Sequence, residues 1–292
     1  MYKLSSTVVI LVLLGLFFSQ CYWEYQKIYP QDYIVRFFDV ELGDACLIQT
    51  PAGKTILIDS SSDGRISEKI TNYLSFFDKS LDLFILSHGD SDHVGGAAQI
   101  LKQFQVKQVF FNGADKKSPM YQEFLNLLYE KKISYKILEK NKDYRLDSNI
   151  ILNTIFPFSN ISYLEDQGNN ESLVFFISIF DKKILFTGDI EKEVETTLFL
   201  SGQNLEADIL KVPHHGSQFS SSDFFLKAVN PRYAVVQAAI GNSFNHPHPE
   251  VITRYEYKNI KFLQTGNTKD LSFCINEKKA VFERCVGDIK KK

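Results

Sequence analysis

The sequence has few cysteines, no basic excess and no long linker, and each absence excludes a class of protein. The four cysteines lack the Cys-x-x-Cys spacing of a structural zinc site and are too few for a disulfide scaffold. Lysine and arginine total 33 against 35 aspartate and glutamate residues, which gives a formal net charge of −2. Modules that bind duplex nucleic acid usually carry a basic excess, so a local patch would have to hold any nucleic acid.

The apolar content, in contrast, is high. Of 292 residues, 44% are hydrophobic and 14% are aromatic. This composition excludes a disordered or fibrous chain and suffices for a large buried core. Because no repeat or Pro/Gly/Ser-rich linker interrupts the sequence, we predict one domain over residues 31–292, which ends in a solvated basic tail at residues 290–292.

An uncharged segment lies at the amino terminus, between Lys3 and Glu24. As a helix it is long enough to cover a hydrocarbon core of about 30 Å. We interpret residues 1–23 as an uncleaved membrane anchor, with a cleaved secretory signal or a lipid-modified Cys21 as alternatives. Because Lys3 precedes the apolar run, the positive-inside rule predicts that the remaining chain lies outside the cytoplasm, anchored or secreted.

Apolar runs and helical spacing alternate along the rest of the chain, which is typical of an α/β layered domain. Short apolar runs predict strands over residues 34–40, 45–50, 55–59, 81–87, 108–112, 173–180, 183–187, 209–212 and 233–238. Apolar residues at three-and-four spacing predict helices over residues 67–77, 97–104, 118–131, 191–201 and 222–228.

All six histidines fall in three clusters, and the densest cluster follows a predicted buried strand. After strand 81–87 the chain reads His88-Gly-Asp90-Ser-Asp92-His93. Two glycines and a helix follow, so the backbone holds these side chains toward one point. Imidazole and carboxylate ligands without a thiolate favour zinc, manganese or iron. This cluster therefore predicts a metal site.

Further potential ligands follow later strands. Strand 183–187 is followed by Gly188-Asp189, and strand 209–212 is followed by Pro213 and the pair His214-His215. Near the end of the chain, prolines stiffen the segment that contains His246 and His248. Histidines scattered at random would rarely form three such clusters, so we infer one shared site.

The order of these motifs resembles the metallo-β-lactamase fold, specifically the hydrolase domain of ComEC-type competence proteins and its stand-alone relatives. The matching motifs are residues 35–48, 56–59, 88–93, 169–174, 186–189 and 210–217 and the pair His246-Pro247. The resemblance implies a four-layer αββα sandwich, with two sheets face to face and helices outside. It also implies a metal-dependent hydrolase that acts on phosphoester bonds.

The resemblance further implies two divalent ions, with Asp189 as the carboxylate shared between them. His88 and Asp90 would hold one ion, and Asp92 and His93 the other. The full ligand set would be His88, Asp90, Asp92, His93, Asp189, His215 and His246. The superfamily pattern usually has histidine at the position of Asp90. A carboxylate there makes this half of the site harder, so manganese rivals zinc.

Four further residues are candidates for catalysis within this resemblance. His214 or His248 would protonate the leaving alkoxide. Asn170 and Ser172 would orient a phosphate oxygen or support a metal ligand. Their alternative role is to form the turn before strand 173–180.

The leading interpretation is a membrane-anchored phosphodiesterase or nuclease whose substrate is single-stranded DNA. A phosphoester hydrolase acting on cell-envelope polymers, similar to a choline-phosphate esterase, is the alternative that the acidic net charge favours. A non-catalytic binding module is a third. No protein partner is implied, and a single candidate span does not imply DNA uptake. Cys274 and Cys285 are candidates for a disulfide in an oxidising compartment.

Overall fold

The computed structural model describes residues 6–41, 43–140, 142–157, 168–277 and 279–282. Its helices are α1 (Ser6–Ile28), α2 (Arg65–Tyr73), α3 (Ser91–Val94), α4 (Ala97–Gln103), α5 (Pro119–Glu130), α6 (Lys192–Leu200), α7 (Asp223–Val229), α8 (Pro249–Tyr257) and α9 (Thr265–Thr268), with 3-10 turns at Gly168–Glu171 and Pro213–Gly216. Cys285 and the basic tail at residues 290–292 lie outside the described residues, so the predicted pairing of Cys274 stays a prediction.

The strands form two large sheets. They are β1 (Tyr33–Phe37), β2 (Cys46–Gln49), β3 (Thr55–Ile58), β4 (Ser80–Leu81), β5 (Leu83–Leu86), β6 (Gln105–Val106), β7 (Gln108–Phe111), β8 (Ser134–Ile137), β9 (Asp143–Asp147), β10 (Ile150–Phe156), β11 (Val174–Ile179), β12 (Lys182–Phe186), β13 (Ile209–Lys211), β14 (Tyr233–Val236), β15 (Lys261–Gln264), β16 (Leu271–Asn276) and β17 (Lys279–Phe282).

Within the described residues, the first sheet has eight strands in the order β17-β16-β1-β2-β3-β5-β7-β8. The second has seven strands in the order β15-β14-β13-β12-β11-β10-β9. In the first sheet β3, β5, β7 and β8 run parallel, and in the second β12, β13, β14 and β15 do. Because the carboxyl ends of parallel strands share one edge, each sheet presents a row of loops there.

Three apolar clusters hold the layers together. The central cluster joins the facing surfaces of the two sheets, and Phe37 and Phe186 stack across it with ring centroids 5.9 Å apart. A second cluster lies between the first sheet and α2, α4 and α5. A third lies between the second sheet and α6, α7 and α8. The predicted αββα sandwich is therefore confirmed.

Each predicted strand and helix has a counterpart in the structure, but several further elements were not predicted. The strands that were not predicted are the short pair β4 and β6, the interior strands β10 and β16, and β8, β9, β15 and β17, which lie at sheet edges. Edge strands carry more polar residues, as the sequence DYRLD of β9 does, so they lack a clear apolar run. Helix α8 was also missed. It begins directly after His248, which caps its first turn.

Helix α1 contains the uncharged segment and is long and apolar enough to span a membrane. It continues five residues beyond residue 23, to Ile28. The side chains of its apolar part are exposed, whereas Glu24 near its end is buried. Four residues then lead into β1.

Candidate metal centre

The carboxyl edges of the two sheets meet, and this junction gathers the polar residues of the centre. The loops after β3 and β5 come from the first sheet, and those after β12 and β13 come from the second. A backbone hydrogen bond of 2.9 Å from Leu173 to Ser87 ties the two edges together. Loops far apart in sequence therefore converge because each follows a strand that ends at this junction.

Four predicted ligands lie together, and we call Asp92, His93, Asp189 and His215 the four-residue cluster. One ligand atom from each lies within 4.8 Å of the others. His93 Nε2 is 3.3 Å from Asp189 Oδ1, and His215 Nε2 is 3.2 Å from Asp189 Oδ2. His215 Nε2 is also 3.2 Å from Asp92 Oδ2. The Asp189 carboxylate thus lies between two imidazoles, the position that a shared carboxylate requires.

The Nδ1 atom of each imidazole in the cluster faces an acceptor on the side away from Asp189. His93 Nδ1 lies 3.0 Å from Asp59 Oδ2, and the same carboxylate accepts hydrogen bonds from Ser87. His215 Nδ1 lies 3.0 Å from the carbonyl oxygen of Gln237. Such outer contacts fix the ring orientation and leave Nε2 for a metal ion.

The backbone around His215 is held in an unusual conformation. His214 and His215 have φ of 48° and 49°, in the left-handed region, which costs about 1–2 kcal/mol for a residue other than glycine. Their ring planes are 72° apart, with centroids separated by 6.3 Å. The turn therefore directs His215 toward Asp189 and His214 toward the outer side of the centre.

A close approach at Gly43 positions Asp92. Gly43 has φ of 94°, and a Cβ atom there would lie 1.8 Å from the carbonyl oxygen of Asp92. The amide of Asp44 donates to the same oxygen at 3.2 Å. Only glycine fits between these segments. The loop between β1 and β2 thus supports the ligand loop after β5.

The other predicted ligand pair faces a buried lysine, and we call His88, Asp90, Lys116 and Glu171 the Asp90 half. His88 Nε2 lies 3.6 Å from Asp90 Oδ2, and the His88 ring lies 4.1 Å from the His93 ring, measured between centroids. Lys116 Nζ contacts Asp90 Oδ1 and lies 3.7 Å from Glu171 Oε2. Burial favours the neutral acid at Asp90, but hydrogen bonding and charge from His88 and Lys116 outweigh it and lower its pKa.

A second buried lysine lies behind the four-residue cluster. Lys211 Nζ contacts Asp44 Oδ2 and lies 3.9 Å from Asp189 Oδ1. Burial opposes the charge of Lys211, but the carboxylates of Asp44 and Asp189 outweigh it and raise its pKa. Lys211 therefore holds a positive charge at the base of the centre.

The outer residues His214 and His246 lie beside each other, with ring centroids 5.6 Å apart. His214 Nδ1 lies 3.3 Å from Glu191 Oε1. Burial and the neighbouring imidazoles lower the pKa of His246 to about 4. His246 does not join the four-residue cluster within the described part of the chain, so its role as a ligand stays a prediction.

The remaining predicted residues have structural contacts. His248 Nδ1 accepts a hydrogen bond of 3.4 Å from the Glu250 amide at the start of α8. Asn170 Oδ1 accepts from the Glu191 amide at 3.0 Å. Ser172 Oγ accepts from the Asp189 amide at 3.0 Å, so this side chain positions the backbone of the central ligand.

The charge of the centre and its buried atoms without hydrogen-bond partners are both consistent with the binding of divalent cations. The carboxylates of the four-residue cluster, of the Asp90 half and of Asp44 and Asp59 outnumber the ammonium groups of Lys116 and Lys211, so the centre carries an excess of negative charge. The buried atoms without a hydrogen-bond partner among the described residues include His88 Nε2, His93 Nε2, His215 Nε2 and Asp189 Oδ1. These atoms point into the centre and are of the type that zinc or manganese binds.

Nearby carboxylates change the pKa of both histidines of the four-residue cluster. Burial disfavours protonation of His93 and His215, but the carboxylates that face them outweigh it. Asp189 and Asp59 raise the pKa of His93 well above its usual range, and Asp189 and Asp44 raise that of His215. Without metal, these imidazoles hold protons that a metal ion would displace.

The sequence interpretation did not include several residues of the centre: Asp44, Asp59, Lys116, Glu171 and Lys211. Asp59 follows β3, so the strand-end signal that identified the other ligands applies to it too. The two lysines carry no such signal. Lys211 lies inside β13 and Lys116 lies in the loop after β7, so only the packing reveals them.

Comparison with known proteins agrees with this geometry. The family model described as "Metallo-beta-lactamase superfamily" matches residues 39–239, which contain the four-residue cluster. A metallo hydrolase from the archaeon Ignicoccus hospitalis, Igni18, superposes with a TM-score of 0.54 at 16% identity. The match covers 83% of this chain and all of that one, and it supports the fold alone.

The curated relatives include competence proteins. ComE operon protein 3 of Bacillus subtilis is 28% identical over 195 residues, which cover 67% of this chain and 25% of that protein. Competence protein ComA of Neisseria gonorrhoeae is 28% identical over 247 residues, which cover 82% of this chain and 32% of that protein. The chain thus spans about a quarter to a third of the length of these relatives.

Proposed function

The chain belongs to the metallo-β-lactamase superfamily, as a metal-dependent hydrolase, and we propose that its reaction is the hydrolysis of phosphodiester bonds. The observation that carries this proposal is the position of the Asp189 carboxylate between His93 and His215, with the Nε2 atom of each ring within 3.3 Å of it. Two divalent ions bound there would activate water and stabilise the oxygens of an in-line displacement at phosphorus.

The side chains of the centre would hold these ions in two sites that have different ligands. The four-residue cluster supplies imidazole and carboxylate ligands for one ion. His88 and Asp90 supply ligands for the other, with Asp189 shared. Asp59 and the carbonyl group of Gln237 keep the rings of His93 and His215 oriented, since each of these oxygens lies 3.0 Å from the Nδ1 atom that it faces.

We assign proton donation to the leaving group to His214. It lies next to His215 in the chain and is partly exposed, so a substrate oxygen can reach it. Glu191 orients the His214 ring through its Nδ1 atom. His248 is less suited, because its Nδ1 atom caps α8.

Single-stranded DNA is the proposed substrate, because the competence proteins of the comparison resemble this chain over most of its length. The acidic net charge of −2 favours the second candidate, a phosphoester of a cell-envelope polymer, since nucleases usually rely on basic residues to neutralise phosphates. Both substrates need the same centre.

We also propose that residues 1–23 anchor the protein and that residues 31–292 form the hydrolase domain outside the cytoplasm. The support is the apolar helix α1 and the position of Lys3 before its apolar run. Protease added to intact cells or spheroplasts should then digest the domain. Digestion only after lysis would reverse this topology.

A substrate panel tests the proposed activity. The full chain would be incubated with zinc or manganese and with single-stranded DNA, duplex DNA, bis-p-nitrophenyl phosphate and choline-phosphate esters. We expect metal-dependent cleavage of bis-p-nitrophenyl phosphate and of single-stranded DNA. Cleavage of choline-phosphate esters without cleavage of DNA would favour the envelope substrate, and no cleavage of any phosphoester would contradict the proposal.

A further inference from the structure

The end of α1 is fixed to the domain by buried contacts. Glu24 is 5% exposed, and its carboxylate accepts hydrogen bonds from Ser75 Oγ at 3.0 Å and from the Phe76 amide at 2.7 Å. The carbonyl oxygen of Lys27 accepts a hydrogen bond of 3.1 Å from Gln49 Nε2 on β2. The helix is therefore packed against the loop after α2 and against the first sheet.

The loop that Glu24 holds presents two adjacent phenylalanines to the outside. Phe76 and Phe77 are 76% and 73% exposed, and their rings pack edge to face with centroids 5.6 Å apart. The Phe77 amide donates to Ser75 Oγ at 3.1 Å, so the turn that carries them is held in place. The two rings therefore form a small, fixed apolar patch on this side of the domain.

The position of Phe76 and Phe77 along the axis of α1 indicates what these two side chains contact. The stretch of α1 from Ser6 to Trp23 carries no charge, and at 1.5 Å per residue it is about 27 Å long, close to the thickness of a hydrocarbon core. Glu24 is the first charged residue after it. Since the Phe76 amide binds Glu24, the two phenylalanines lie level with the end of the apolar stretch.

Aromatic residues of α1 occupy the same level. Tyr22, Trp23 and Tyr25 are all more than half exposed. Aromatic rings are enriched where the hydrocarbon core meets the headgroups. Phe76 and Phe77 extend this group of rings from the helix onto the domain, so the surface they form continues the surface of α1.

We propose that Phe76 and Phe77 insert into the interfacial layer of the bilayer that α1 spans. The partner is the lipid surface itself, and the domain rests on it in one orientation. The proposal depends on the membrane anchoring proposed above, because a cleaved α1 would remove the contact that sets the height of the loop. It assigns the domain a second membrane contact, separate from the helix.

The single tryptophan of the chain allows a direct test of depth. The full-length protein would be reconstituted into phosphatidylcholine vesicles that contain lipid brominated near the headgroup end of the acyl chains. In the wild type, Trp23 reports on α1. In the double variant Trp23→Phe/Phe77→Trp, the new ring reports on the loop. We expect both proteins to lose fluorescence to a comparable degree.

A matched control is the double variant Trp23→Phe/Tyr257→Trp, since Tyr257 is 86% exposed on α8, outside the second sheet. We expect no quenching there. Quenching of Trp23 without quenching at position 77 would overturn the proposal and leave the anchor intact. No quenching of Trp23 would overturn the anchor and the proposal with it. Equal quenching at positions 77 and 257 would also overturn the proposal, because it would show no fixed orientation.

Discussion

The two halves of the metal centre offer similar ligands but differ in what neutralises them. In the four-residue cluster, the carboxylates of Asp92 and Asp189 face imidazoles. In the Asp90 half, an ammonium group, Lys116 Nζ, already contacts Asp90. An imidazole can give up its proton and become a ligand, whereas an ammonium group can only compete with a cation. The four-residue cluster should therefore bind metal more tightly.

The largest effect should come from removing the carboxylate that both halves share. Asp189→Ala should lower turnover on bis-p-nitrophenyl phosphate by at least about a hundredfold, comparable to the loss of one strong electrostatic contact in a transition state. It should also weaken metal binding, most strongly in the four-residue cluster. Circular dichroism with metal present must show that the variant folds.

A suitable control for this change is Asp181→Ala, because Asp181 is an exposed carboxylate at the far end of the same hairpin. This control should keep its metal and its activity. If Asp189→Ala folds, retains two ions and turns over like the wild type, Asp189 is not the shared ligand.

Replacement of His214 should affect turnover without affecting metal content. His214→Ala should slow hydrolysis of a DNA phosphodiester by about a hundredfold, the contribution typical of a positioned acid. The loss should be much smaller on bis-p-nitrophenyl phosphate, whose leaving group needs little protonation. His248→Ala is the comparison. If His248→Ala instead loses turnover and keeps its metal, the two histidines exchange roles.

A variant of Lys116 tests the expected difference in metal affinity between the two halves of the centre. Lys116→Met removes the competing ammonium group, so the second ion should bind at least about tenfold more tightly, since a unit charge at about 4 Å is worth about 4 kcal/mol at a dielectric of about 20, and tenfold needs only about 1.4 kcal/mol. Titration calorimetry with manganese would measure both affinities. Lys102→Met, which removes an exposed lysine paired with Glu123, should change neither. A weaker second site in Lys116→Met would contradict the assigned role.

The smallest expected effect is a dependence of metal binding on pH. Because nearby carboxylates raise the pKa values of His93 and His215, both rings keep their protons to a higher pH than a free imidazole does when no metal is bound. Metal binding must release these protons, so affinity should increase as pH rises. Because these pKa values are higher in the folded chain than in the unfolded chain, protonation of His93 and His215 stabilises the metal-free fold at low pH. This stabilisation is lost as the pH rises through the raised pKa values. Calorimetry in buffers of different ionisation enthalpy measures how many protons are released when metal binds. A value of zero would contradict the predicted pH dependence.

Much of the fold and of the cluster could be predicted because the signals are local. Asp189 and His215 each follow a buried strand of the second sheet, and parallel strands end at one edge, so the convergence of these two residues follows from the pattern. The charge partners could not be predicted in this way. Lys116 and Asp90 are 26 positions apart, and Lys211 is read as part of an apolar strand. Their burial depends on how the two sheets pack, which no local pattern contains.

The number of metal ions that the chain binds is the direct test of a centre with two ions. The full chain would be stripped with chelator, reloaded with zinc or manganese and freed of excess metal before elemental analysis. We expect about two ions per chain at saturation, with one lost more readily than the other on dilution. Protein that folds but takes up no more than a trace of either metal would contradict this expectation.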